Sequence, residues 1–292
     1  MQQGQEGVER IFGFREEWRD FEKRNTVFLE RFPRLQQAAE LIFNHMQLAE
    51  PIDKFVFIYG RVCLEDFYEI LLCCANGNGQ AAQKLLRELY ERAVTLEYLH
   101  EHPEELGDFY DFHRLSQRKL KIVCENTMGK EVFTDKKASE IEEDFQEIKD
   151  KFMVTDCETC GTKKLNHSWN KLDFVAMANK TSVGKLIVLG YYIPLRQAHA
   201  TVASMTSRMV ATEDGGISFE QTAQRGPADN ALRVSHNILL NVLRVENEHF
   251  KIPGLKAQCA ICLQDFMDIW HGRSASSSRA DKEHRSPDHE EG

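Results

Sequence analysis

Gln80-Ala-Ala-Gln-Lys-Leu-Leu-Arg-Glu-Leu-Tyr-Glu-Arg-Ala-Val-Thr-Leu-Glu-Tyr-Leu-His100 decides the fold class. Leu85, Leu86, Leu89, Tyr90, Ala93, Leu96 and Leu99 recur at helical spacing, with charges between them. The run Asn76-Gly77-Asn78-Gly79 breaks the chain before it, and His102-Pro103-Glu104-Glu105 ends it and opens another helix.

Working outward, the same period repeats on both sides. Val8–Arg24 reads as a weakly apolar amphipathic helix carrying Ile11, Phe12, Trp18 and Phe21. A helix opening near Pro33 and running to Gln47 places Leu35, Ala38, Ala39, Ile42, Phe43 and Met46 on one stripe. Ile52–Ala75 is apolar on most sides. Further helices are expected over Leu106–Cys124, Lys136–Phe152, Trp169–Met177, Pro227–His249 and Leu255–Trp270. Thr212–Ser218 reads as a turn or small hairpin. Glycine and proline are sparse and fall between the periodic segments, which favours long helices. The expectation is an all-α, bundle-like single domain over 1–271 with a disordered polar tail over 272–292.

Gly190-Tyr-Tyr-Ile-Pro-Leu-Arg-Gln-Ala-His-Ala-Thr201 is the chemically richest stretch. It reads as the middle of a helix from Thr181 or Ser182 to about Arg208, kinked where Pro194 meets the carbonyl of Gly190 four residues back. In a continuous helix Tyr192, Arg196 and His199 share a face. A phenol, a guanidinium and an imidazole there make a pocket for an anion, with His236 and Trp169 as further candidates to line it. The plainer alternative has His199 donating to a backbone carbonyl and Arg196 capping a neighbouring helix. Arg87 and Glu91, one turn apart, read either as a surface ion pair or as the opposite wall of that pocket.

Cys157-Glu-Thr-Cys160-Gly161 has the spacing of half a zinc site in a loop. Cys259 and Cys262 repeat the spacing, but they fall on the stripe Leu255, Cys259, Cys262, Phe266, Trp270 and read as core. No cofactor is otherwise expected. The net charge of −9 argues against broad nucleic-acid binding. No apolar run approaches the roughly 18 residues that span a bilayer, and the start lacks a signal-peptide pattern, so a cytoplasmic protein is expected. No P-loop, dinucleotide turn, His-Glu-x-x-His or Gly-x-Ser-x-Gly motif occurs.

The run Arg87-Glu-Leu-Tyr-Glu91-Arg-Ala-Val-Thr-Leu-Glu-Tyr98-Leu, followed by Trp169 and then Tyr192…His199-Ala-Thr, resembles bacterial proteins grouped as domain of unknown function 5677. The likeness covers roughly 42–250. It implies a helical architecture, singles out Arg87, Glu91, Tyr98, Trp169, Tyr192 and His199, and implies no activity. HEPN ribonucleases are a looser analogy, because Arg196 and His199 stand closer together than the arginine and histidine of that motif. Three functions follow: a ligand- or partner-binding regulatory module; a phosphodiester-cleaving enzyme using His199, Arg196 and Glu91; or a zinc-stabilised scaffold through Cys157 and Cys160.

Overall fold

The computed structural model describes residues 15–44, 48–157, 159–199, 201–219 and 222–283, with backbone alone for Lys130 and 271–283. The described residues hold eleven α-helices and two short antiparallel hairpins, and the fold is all-α. They cluster in two compact units: residues up to Glu97 together with those from Thr181 on, and Tyr98–Lys180.

The first unit is built on α3 (Pro51–Ala75) and α10 (Arg225–Phe250). They run antiparallel: His249 bonds Asp53 at one end, and the Cys74 thiol donates to the Ala228 carbonyl at the other. α3 starts where Pro51 occupies the first turn and Glu50 and Asp53 form a reciprocal capping box. α10 is buried almost all round, from Ala228 through Glu246, and stops where Lys251 adopts a left-handed conformation. α4 (Gly79–Glu101) begins just after Gly77, whose φ is +70°, and buries Leu86, Leu89, Tyr90, Ala93 and Leu96. The division between the units falls inside this helix.

α1 (Arg15–Arg24) buries Phe21, while Trp18 is exposed and donates to Asn76. Residues 8–14 of the helix expected there lie outside the described residues, as do Met46 and Gln47. α2 (Thr26–Phe43) begins earlier than Pro33, which sits inside it. Packing overrides the proline: Phe28 is buried against His236 and Trp270, which holds the first two turns in place. Pro33 is exposed, where water can reach the Leu29 carbonyl that it leaves unbonded.

α11 (Leu255–Glu283) packs on α2 and α10. Asp265 is buried there and is bonded by Arg31 and Arg34. The tail expected from 272 begins within this helix, whose backbone continues to Glu283; 284–292 lie outside the described residues.

The second unit holds α5 (Leu106–Met128), α6 (Asp135–Ile148), the strands β1 (Met153–Thr155) and β2 (Lys163–Leu165), and α7 (Phe174–Ala178). Its core is Leu115, Phe145, Ile148 and Phe152, with Phe112 and Leu165 packed against it. Thr134 caps α6, and the expected stripe Ile141, Phe145, Ile148 is buried. The Cys157–Gly161 loop turns out to be the tip of the β1–β2 hairpin.

Candidate functional site

The helix expected from 181 to 208 is four pieces. Ser182–Leu186 is a 3-10 turn, Val188–Tyr192 a π turn, then come α8 (Ile193–Ala198) and α9 (Val202–Thr206). Pro194 has no N–H and crowds the Gly190 carbonyl, and the chain relieves this by widening: Ile193 N–H donates to Val188, five residues back. Gly190 itself lies against Tyr90 of α4, where an added Cβ would fall 2.6 Å from the ring. The kink is therefore a π turn.

The second break is made by Thr201. Its hydroxyl donates to the Arg196 carbonyl at the end of α8 and accepts from Ser204 N–H at the start of α9. One side chain thus satisfies orphan groups of two helices. His199 stands in the break with extended backbone (φ −104°, ψ 156°). Hence Tyr192, Arg196 and His199 do not share a helical face.

The break delivers His199 to α4. Arg87 donates from Nε to Glu91 Oε1 at 2.8 Å, its Nη1 lies 3.1 Å from His199 Nε2, and its guanidinium carbon sits 5.0 Å from the Tyr191 ring centroid. Three of the expected residues, Arg87, Glu91 and His199, therefore converge. Arg196 does not join them: it is exposed, and its guanidinium forms no hydrogen bond or ion pair among the described residues. Tyr192 is exposed and is one ring away, packed edge-on to Tyr191. The residue that sequence reasoning passed over is Tyr191, which lay on the neighbouring face of the imagined helix.

This contact fixes a tautomer. A guanidinium can only donate, so a bond from Arg87 needs a lone pair on His199 Nε2, and the ring proton is on Nδ1. Glu91 and His199 occupy two of the guanidinium N–H groups. The fork can donate its remaining N–H groups to a ligand.

His236 lies elsewhere in the same unit. It is buried on α10, accepts from Trp270 Nε1 at 3.2 Å, and meets Phe28 and Phe266 edge-on. Burial pushes its pKa down to about 3, so it is a neutral core residue rather than a ligand contact. Tyr98 and Trp169 belong to the second unit. Their rings meet at 5.9 Å, the Tyr98 hydroxyl donates to Glu105, and Asn170 donates to the other oxygen of that carboxylate. Among the described residues, the only His, Cys, Asp or Glu trio with donor atoms within 4.8 Å of one another is His102, Glu104 and Glu105. Cys157 and Cys160 have no third such donor within that reach among the described residues.

A further polar network lies beside Ser182. The Glu97 carboxylate is buried and accepts from Ser182 N–H at 3.0 Å, from Asn241 at 2.9 Å and from Arg244 at 2.5 Å. Glu97 follows Tyr90 and Ala93 at helical spacing on the core stripe of α4. An acid on an apolar stripe was the readable signal for this network.

Among the described residues, no helix is long and apolar enough to cross a membrane. The chain belongs to the Family of unknown function (DUF5677), whose model matches residues 55–217, more than half of its length. No curated protein and no solved structure matches it. Arg87, Glu91, Tyr191 and His199 all fall inside the matched region, and His236 falls outside it.

Proposed function

We propose that the protein is a cytoplasmic binding module that recognises an anionic group on a partner through the Arg87 guanidinium. The reading rests on one observation: Arg87 is held by Glu91, His199 and Tyr191 together while its side chain stays 21% exposed. A guanidinium held in place loses less side-chain entropy when it takes up a carboxylate or phosphate. The chain that carries His199 also exposes Tyr192, Ile193, Val202 and Met205, apolar surface suited to a macromolecular partner rather than a free ion. Inorganic phosphate titrated into the full chain and followed by NMR is the probe. Arg87→Gln should weaken binding at least about tenfold, as the loss of a charge-assisted bond requires. Equal binding by the variant would sink the proposal.

Phosphodiester cleavage is the second reading, favoured by the same arginine–histidine contact, now made by Arg87 rather than Arg196. It places His199 as the acid–base group. The bond from Arg87, however, occupies the lone pair that a general base needs, and the N–H left on the neutral ring is a hydrogen-bond donor rather than an acid, so as folded His199 is set up for neither proton transfer. Cleavage of a single-stranded RNA by the chain, abolished in His199→Ala, would replace the binding reading.

A further inference from the structure

The hairpin tip carries two thiols that neither reading uses. The turn brings them together: Gly161 N–H donates to the Cys157 carbonyl at 2.9 Å, and the amides of Asp156 and Cys157 both donate to the Thr162 carbonyl. Gly161, at φ +69°, supplies the left-handed residue that this closure needs. Cys160 is exposed, and its sulfur lies 2.8 Å from the Thr162 hydroxyl.

From this geometry we infer that Cys157 and Cys160 form a redox-active dithiol that exchanges with small-molecule disulfides. Cys160 is the attacking thiol. Its exposed sulfur stands beside the Thr162 hydroxyl and, after it, the Cys157 thiol, and hydrogen bonds from these lower its pKa and favour the thiolate. Burial moves the thiols of Cys63, Cys73, Cys74, Cys259 and Cys262 upward instead. A metal reading of the same pair lacks further donors: a tetrahedral zinc site needs four, and no third comes within reach among the described residues.

The exchange balances in two steps. The Cys160 thiolate attacks one sulfur of the small disulfide; that S–S bond breaks, and one small thiolate leaves. Cys157 then gives its proton to solvent and attacks the Cys160 sulfur, expelling the second small thiolate. The protein loses two electrons and two protons, and the small disulfide becomes two thiols.

The test uses the reduced full chain with excess oxidised glutathione and peptide mass spectrometry. The expected product is a Cys157–Cys160 disulfide, reversed by dithiothreitol. Cys157→Ser should hold glutathione stably on Cys160, and Cys160→Ser should yield no adduct at this tip. Helical circular dichroism matching the wild type shows that each variant is folded. Iodoacetamide should label Cys160 at neutral pH about tenfold faster than the half-buried Cys259, as expected of a thiolate beside a thiol. The inference is overturned if Cys160 labels no faster than Cys259. It is equally overturned if wild type and Cys157→Ser retain glutathione alike, or if stoichiometric zinc protects both thiols in the reduced chain.

Discussion

Two of the glutamates buried in the first unit, Glu97 and Glu246, are treated in opposite ways. Glu97 on α4 has its charge met by the Ser182 amide, Asn241 and Arg244. Glu246 on α10 has no exposed surface, and neither carboxylate oxygen has a hydrogen-bond partner among the described residues. Burial raises its pKa well above the ordinary carboxylate value, which favours the neutral acid. Glu246 fits because Gly60 of α3 leaves room: a Cβ at Gly60 would stand 1.7 Å from its Oε1. One acid is accommodated by partners, the other by space. The difference shows that burial alone says little about a carboxylate, whose surroundings decide whether it serves as an anchor or as a neutral filler.

The sharpest way to break the comparison is Glu97→Ala. It strands the Ser182 amide and leaves Arg244 without its inner partner, and a loss of about 3 kcal/mol is expected in urea unfolding. A loss below about 1 kcal/mol would mean that the network is decorative. Next comes Gly60→Ala. In most helices that change gains up to about 1 kcal/mol, but here it should cost about 2 kcal/mol because Glu246 is displaced. Adding Glu246→Ala should return much of the loss, since the two sites touch. Stabilisation by Gly60→Ala alone would show that the carboxyl has another place to go.

The third effect is set by pH. Because the folded pKa of Glu246 is raised, its stabilising contribution is complete below the ordinary value near 4.5 and is lost as pH climbs toward the folded value. Glu246→Gln removes that dependence. Relative to the wild type it should gain stability steadily from acid to neutral pH, at no more than about 1.4 kcal/mol per pH unit. Parallel stability profiles for the two proteins would contradict a neutral Glu246.

Long helices were readable because their stripes are long. The helices around Gln80–His100 and Ile52–Ala75, and the narrow Ile141, Phe145, Ile148 stripe, stand where periodicity put them. The 181–208 region was misread as one helix because local competition, not periodicity, decides it. Pro194 forces a π turn, and Thr201 caps two helices at once. These events put Tyr191 in the place of Tyr192 and left Arg196 out of the cluster, while Arg87, Glu91 and His199 were legible as residue types. No pattern could announce that residues 87 and 199 touch, since that contact depends on packing across distant sequence. Glu246 was overlooked among the charges at the end of its helix, although it follows Val242 and Leu243 on the buried stripe.

The bond from Ser182 N–H to Glu97 joins residues that stand just outside the two ends of the second unit. Topologically, residues 98–180 are an excursion that leaves and returns through one clasp, the arrangement that lets one domain be inserted into another. Closing a flexible loop of that length costs about 4 kcal/mol of chain entropy. A clasp that holds the entry and exit points together confines the cost to one place.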